Sequence, residues 1–569
     1  MDNCANNYRL AIDLTQALNI PADPRQRLPF FQAFKQLLKD ERKRIKDWHR
    51  SGTGGREIIQ AHTSLIDEVI RHVLRSMIRL EVYAKEDVLE DFSLIAVGGY
   101  GRGELNPLSD IDLLFLLSEK TQPLTKMFIQ DVLSVIWGFG MEIGHSSRTI
   151  KDCVKFAQED LTIKTSMIET RFLIGNRITY DKFCSSIQKK VLQKHVKQFL
   201  NSKLKEKYAG YGQGGGVVCH PEPDIKNGPG GLRDYHSALW ATAVRYGCNS
   251  LREINEEHVL SREEIESLYH SVDFSLRVRN DLHYLTEKKN DILTFAIQKQ
   301  LAANLGYQAS SYGQPVEEFM RDYYLHATNI YTFSQNLFEH CRQSKRSLKK
   351  VISSLTKKAI GNGFHISDSS LVYEGDAKED FKKDKLLLLT ALELCKQHQV
   401  LPDFKLRRQM RLSKNLVSAQ FANTEEVRSF LFSVLKNKTA EKILRLMHET
   451  NILGQILPEF GLSHCKVNHD FYHHYTADEH SLRVIRFLDE LVVTSITNPT
   501  DLSALYQDYP HKGILKLSAL LQSIQKMPAG GPDDFLVPLT KRLNLKKSDS
   551  QTLFFLLTNP YTMIETALH

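Results

Sequence analysis

Asp110 and Asp112 stand one residue apart in the stretch GGYGRGELNPLSDIDLLFLL, Gly98 to Leu117. The apolar run after them reads as a buried strand, and in a strand residues i and i+2 point the same way. Both carboxylates therefore project to one side, while Ile111 and Leu113 face a core. Two carboxylates this close repel one another unless a cation sits between them. Hard oxygen donors favour Mg²⁺, with Mn²⁺ as the substitute.

Four of the six residues from Gly98 to Gly103 are glycine. A loop stripped of side chains lets backbone N–H groups approach a phosphate, and a helix start after it adds partial positive charge. Gly98, Gly99, Gly101 and Ser109 are the candidate nucleotide contacts of this loop, and Arg102 and Arg148 the candidate phosphate contacts. Two metals about 4 Å apart, clamping an attacking oxygen and a pyrophosphate leaving group, are the machinery of nucleotidyl transfer. A third carboxylate completes such a site. Glu142 in MEIGHSSRT, on the next strand, is the first choice and Glu169 in MIETRFL the second. No general base can be picked out.

Positioning these groups requires a small α/β unit. Residues 25–90 have helical spacing, as in IIQAHTSLIDEVIRHVLRSMIRL. The period then changes: FSLIAVGG, DIDLLFLL and MEIGHSSRTI read as three strands, with a short helix after the glycines and a longer one, TKMFIQDVLSVIWGFG, before the third strand. Beyond residue 155 the pattern is nearly all helical. The irregular segment GYGQGGGVVCHPEPDIKNGPGGLRD at 210–234 and a polar loop at 361–380, GNGFHISDSSLVYEGDAKED, interrupt it. In the first of these, Gly228, Gly230 and Gly231 form either a tight turn before a helix near Asp234 or, with Lys226 and Arg233, a second phosphate contact. His145 and His283 read as packing or hydrogen-bonding histidines rather than ligands.

The chain has 569 residues, 42% of them hydrophobic and 25% charged, enough for several domains with real cores. A net charge of +8 is mild at this size, and a solvated surface accounts for it, so no nucleic-acid partner is expected. The eight cysteines form no CxxC pair, the N-terminus lacks a basic segment followed by an apolar one, and no apolar run is long enough for a bilayer. A cytoplasmic protein without membrane contact is the expectation.

VGGYGRGELNPLSDIDLLFL resembles the nucleotidyltransferase motif of the bifunctional uridylyltransferase/uridylyl-removing enzymes, which modify the nitrogen-signalling PII protein and belong to the DNA polymerase beta-like superfamily. Further blocks continue the resemblance in order: EIGHSSRTIKDC, DLTIKTSMIETRFLIGN, PDIKNGPGGLRDYHSALW, LRVRNDLHYLTEKKNDILTFAIQKQLAANLGY, VEEFMRDYY and EKILRLMHETNILGQILPEFG. The likeness covers about residue 45 to the end. It implies Mg²⁺-dependent transfer of UMP from UTP to a PII tyrosine, with Asp110, Asp112 and Glu142 as catalytic metal ligands. The residues themselves leave open UTP against ATP, another acceptor protein, and a nucleotide-binding regulatory protein without turnover.

The second half departs from the family. The resemblance implies an HD-type phosphohydrolase that removes the uridylyl group, using a first His, an adjacent His-Asp pair and further ligands. FYHHYTADEHSLRVIRFL supplies His474 as the first ligand, with Asp478 and His480 close by, and the cluster His469, His473, His474 and His480 as a fallback metal site. The His-Asp pair, however, falls on Gln522-Ser523, and neither side chain brings an imidazole or a carboxylate. AGGPDDF and LTNPYTM replace later histidines. A degenerate HD domain without removal activity is expected. The family's two glutamine-sensing ACT domains are expected to be absent. The implied fold is α+β, mostly α: a helical segment at 1–60, a mixed-sheet nucleotidyltransferase domain at 61–200, a helical domain with the GPGGLRD signature at 201–345, a helical connection at 346–460 and an HD-like helical domain at 461–569.

Overall fold

A computed structural model describes residues 20–559 apart from 85–86, 212–217, 248–252, 255–259, 311–312, 344–357, 368, 468–474, 495–500 and 523–531. The chain forms two compact units. The first comprises Met1–Val218, Glu222–Gln308 and Tyr323–Arg342, and the second Cys219–Pro221, Ala309–Asp322 and Gln343–His569.

In the first unit, strands β1 (Phe92–Val97), β2 (Ile111–Leu117), β3 (Ile143–Thr149) and β4 (Thr170–Gly175) form one sheet in the order β3-β2-β1-β4. β1 runs antiparallel to both β2 and β4, and β3 runs parallel to β2. Strand alternation sorts the side chains onto two buried faces. Ile111, Leu113 and Phe115 pack with Phe128, Val132 and Ile136 of helix α2 (Pro123–Gly138) and with Val69, Ile70 and Val73 of helix α1 (Gly55–Ile78). Leu114 and Leu116 pack on the other face with Phe183, Ile187 and Trp240. Each fully buried Leu or Phe contributes about 1.5–3 kcal/mol relative to exposure. The sheet is thus clamped from both sides, and only its strand ends are left for chemistry. Among the described residues no helix is long and apolar enough to cross a membrane.

The architecture is α+β and mostly α, as the sequence implies. Two differences concern strands. β4, in MIETRFLIGN, has only six residues and no clean alternation of burial, so its period is weak. The segment 361–380, expected as a polar loop, instead carries most of a second sheet of order β5-β6-β7-β8, with β5 Lys358–Gly361, β6 Phe364–Ser367, β7 Ser370–Tyr373 and β8 Leu401–Pro402. Asn362 and Gly363 join β5 to β6 with φ of 51° and 78°, the left-handed pair of a tight hairpin turn. Polar composition concealed these strands, although Asn-Gly is the hairpin signal.

The helices of the second unit share one core. It includes Leu431, Val434, Ile443, Leu444, Met447, Leu482, Ile485, Leu517, Leu520 and Leu521. Leu515 is half-buried.

Candidate active site

β1 ends in a one-turn helix, Gly98–Gly101, and the chain then loops back into β2. Gly98 sits at φ +61°, which a side chain rarely adopts, and a Cβ on Gly101 would overlap the Glu169 carbonyl oxygen. These two glycines are therefore required by backbone geometry. Tyr100 between them is buried; its hydroxyl donates to Asp67 at 2.7 Å, and Arg171 donates to the same carboxylate at 2.6 Å. The amides of Arg102, Gly103 and Glu104 close the turn on the carbonyls of Gly98, Tyr100 and Gly99. Asn106, also buried, bonds Asn280 at 2.6 Å and receives Arg279 Nη1. The Ser109 amide then bonds the Asn106 carbonyl at 3.0 Å, which aims the chain into Asp110.

Parallel register sets Ile111 beside Ile143 and Asp112 beside Gly144. One step back along both strands lie Asp110 and Glu142. They share a cation: Lys289 Nζ donates to Asp110 Oδ1 and lies 3.4 Å from Glu142 Oε2. Asp112 completes the group: a Cβ on Gly98 would touch its Oδ2 at 3.5 Å, and a Cβ on Gly144 would overlap its Oδ1. Partial burial pushes the Asp112 carboxyl up, Asp110 pushes it further, and Lys289 pulls the other way. The hydrogen bond to Asp110 raises Lys289.

The three carboxylates fit a divalent ion. Their oxygens are hard donors, and a positive group already bridges two of them. Asp110, Glu142 and Lys289 are 62%, 87% and 51% exposed. An ion pair this exposed contributes about 0–1 kcal/mol, so the ammonium is easily displaced.

Glu169 takes a different place. It is buried, pairs with Arg102 Nη1 at 2.5 Å and accepts from the Trp240 indole. Arg102 also bonds Glu104 Oε2 at 2.7 Å, and that carboxylate accepts from His236. Burial alone would raise Glu104; His236 and Arg102 hold it well below the usual carboxylate range. Both Arg102 and Glu169 are thus committed to a buried network beneath the glycine turn. Arg148 is not brought to the carboxylates either. It lies six residues beyond Glu142, about 20 Å along an extended strand, with its guanidinium over Phe156. His145 is exposed and meets Trp137 edge-on.

The segment 223–234 is a turn that docks beside the site. Asp224 bridges to Ile292, the Ile225 amide bonds the Asp291 carbonyl at 2.8 Å, and the Leu293 amide bonds the Pro223 carbonyl at 3.0 Å. A Cβ on Gly230, at φ +75°, would strike the Ala327 carbonyl. The glycines here are packing glycines. Asp291 accepts from Arg279 at 2.7 Å and lies 3.3 Å from the buried His283 ring, which is a hydrogen-bonding histidine. Lys226 is pushed down by burial and by Arg279, while Asp291, 3.9 Å away, pulls it back. Arg233 lies over the Trp240 ring.

Sequence reasoning did not single out Lys289 or Gly144. A glycine inside the third strand, MEIGHSS, is a recognised sign of close approach by another group. Lys289 sits in EKKND, where nothing in the spacing pairs it with a carboxylate 179 residues away.

In the second unit, Gln522 follows helix Lys512–Leu521 as its cap, Asp478 is buried at the start of helix Ala477–Thr494, and His480 is exposed. His469, His473, His474 and Ser523 lie outside the described residues. Asp478 accepts from His464.

Residues 77–173 match a family model described as Nucleotidyltransferase domain, and residues 198–338 one described as GlnD PII-uridylyltransferase. A bifunctional uridylyltransferase/uridylyl-removing enzyme of Rhodospirillum rubrum is 30% identical, over 97% of this chain and 60% of its own length. Its counterpart in Bradyrhizobium diazoefficiens is 28% identical, over 100% of this chain and 64% of the relative. That of Nitrobacter hamburgensis is 28% identical over 95% and 60%. The chain spans about 60% of the length of these curated relatives.

Proposed function

We propose that this chain, a nucleotidyltransferase of the GlnD PII-uridylyltransferase family, transfers UMP from UTP to a tyrosine hydroxyl of a PII-type nitrogen signalling protein. The observation that carries the reading is the placement of Asp110, Asp112 and Glu142 at adjacent strand ends, with one ammonium bridging Asp110 and Glu142. In the reaction the tyrosine oxygen bonds the α-phosphorus, the α–β phosphoanhydride breaks and pyrophosphate leaves. Magnesium, or manganese in its place, supplies charge neutralisation and alignment when bound. The three carboxylates hold it. Gly98 and Gly144 leave room for the Asp112 carboxylate, and the buried Arg102 network keeps the glycine turn rigid beneath the nucleotide. Lys289, next to the carboxylates, supplies positive charge for a triphosphate. With Gln522 and Ser523 where a His-Asp pair is expected, the uridylyl-removing reaction is lost, so the modification runs one way.

The test is to incubate the purified chain with Mg²⁺, a PII-type protein and UTP or ATP labelled in the α-phosphate. Label on the PII tyrosine from UTP alone supports the reading. Label from ATP, or only on another protein of a lysate, replaces the substrate assignment. Binding of Mg²⁺-UTP with no pyrophosphate released would instead mean a regulatory protein.

A further inference from the structure

In the second unit, we propose that His448, His464 and Asp478 form a site for one Zn²⁺ ion with a fourth position open to water. His448 lies in the last turn of helix Ala440–Glu449, His464 follows the one-turn helix Pro458–Gly461, and Asp478 opens helix Ala477–Thr494. Three elements thus deliver one donor each.

The spacing is that of ligands. Asp478 Oδ2 lies 3.0 Å from His464 Nδ1 and 3.2 Å from His448 Nε2, and one donor atom from each residue falls within 4.8 Å of the other two. Around tetrahedral zinc, with bonds of about 2.0–2.1 Å, neighbouring ligand atoms stand about 3.3 Å apart. The two rings are nearly perpendicular, at 82° with centroids 5.1 Å apart, so their nitrogens approach the carboxylate from different directions.

The carboxylate is held in place. Asp478 is 2% exposed; its Oδ2 accepts the Cys465 amide at 3.0 Å and its Oδ1 the Glu479 amide at 2.9 Å. Outer hydrogen bonds of this kind orient metal ligands. Without an ion, Oδ2 must take three donors, two of them imidazoles; an ion between the groups replaces the two ring contacts. Two imidazoles and one carboxylate suit zinc, and three protein ligands leave a coordination position free. The rings are 20% and 31% exposed, which gives the ion and a water their path. None of the three residues belongs to the HD positions His474, Gln522 and Ser523. The ion would staple three segments of the unit, and binding would add to its stability.

The experiment uses the full chain carrying Asp110→Asn and Asp112→Asn, so that the first unit's carboxylates do not enter the count. The chain is stripped with EDTA and titrated with Zn²⁺, following heat, bound metal and Tm. One Zn²⁺ per chain and a rise in Tm are expected. His464→Ala, at a partly exposed ring, should weaken binding at least roughly 10-fold and remove the Tm rise, with circular dichroism unchanged. His448→Gln should do the same. Equal Zn²⁺ binding by the parent and by both variants, or no Zn²⁺-dependent Tm change in the parent, would mean a hydrogen-bonded triad and overturn the proposal.

Discussion

Gly144→Ala separates the chemistry of this fold from its stability. Gly144 lies opposite Asp112 in the β2–β3 register, and a Cβ placed there would overlap Asp112 Oδ1. The carboxylate must retreat by about 1 Å to reach ordinary contact, and misplacing a catalytic group that far costs on the order of 100-fold in rate. That is about 2.7 kcal/mol of transition-state stabilisation. The fold should not suffer. Gly144 is exposed on the outer strand, and its φ is not positive, so alanine fits the backbone. Replacing a strand glycine removes unfolded-chain entropy and adds about 0.5–1 kcal/mol. Initial rates of label transfer at saturating UTP, beside a thermal melt, should show turnover falling about 100-fold while Tm holds or rises. A rate within threefold of wild type would mean that Asp112 is not at the reacting centre. A fallen Tm would mean that the β2–β3 register is misread.

Asp110→Ala and Asp112→Ala should each lower transfer by several orders of magnitude, because each removes a metal ligand; retention of more than a tenth of the rate would contradict the site. Glu142→Gln should cut turnover without moving Tm, since its carboxylate is exposed. Glu169→Gln should act on the fold, because it breaks a buried pair with Arg102, a loss on the order of 3 kcal/mol in denaturant melts; the reverse pattern would exchange their roles. The stability of the chain should decline as pH falls from about 6.5 toward 4. Burial and the charge of Arg42 push His62 down to about 3, so the unfolded chain gains a proton that the folded one refuses. Each such group weakens folding by up to about 1.4 kcal/mol per pH unit below its unfolded value. His62→Gln should flatten the Tm–pH slope; an unchanged slope would assign it to other groups.

Much of the first unit was legible because its signals are local. The alternation of DIDLLFLL sets which side chains face a core, and the helix between β2 and β3 forces Glu142 to the same sheet end as Asp110. What stayed hidden depends on contacts distant in sequence. Arg102 reads as a free cation beside a glycine loop, and only folding brings it against Glu169 and Glu104. Arg148 shares a strand with the site, but strand length carries it to the far end. The hairpin at 358–373 was obscured by polar residues, since burial pattern and turn chemistry give opposite signals there. The His448–His464–Asp478 group has no spacing that a motif could capture, because three separate elements converge to form it.

The tie between Asp110 and Lys289 also sets an order of events during synthesis. Residues 77–173 hold all three carboxylates, but the lysine that offsets them emerges 179 residues after Asp110. At about 5–20 residues per second, that is a delay of roughly 9–36 s. Until then Asp110 and Glu142 lack Lys289, and for most of that time Asn106, which presents Asp110, lacks Asn280 and Arg279. A nascent chain halted before residue 279 therefore holds all three carboxylates without the residues that fix Asn106 and pair with Asp110.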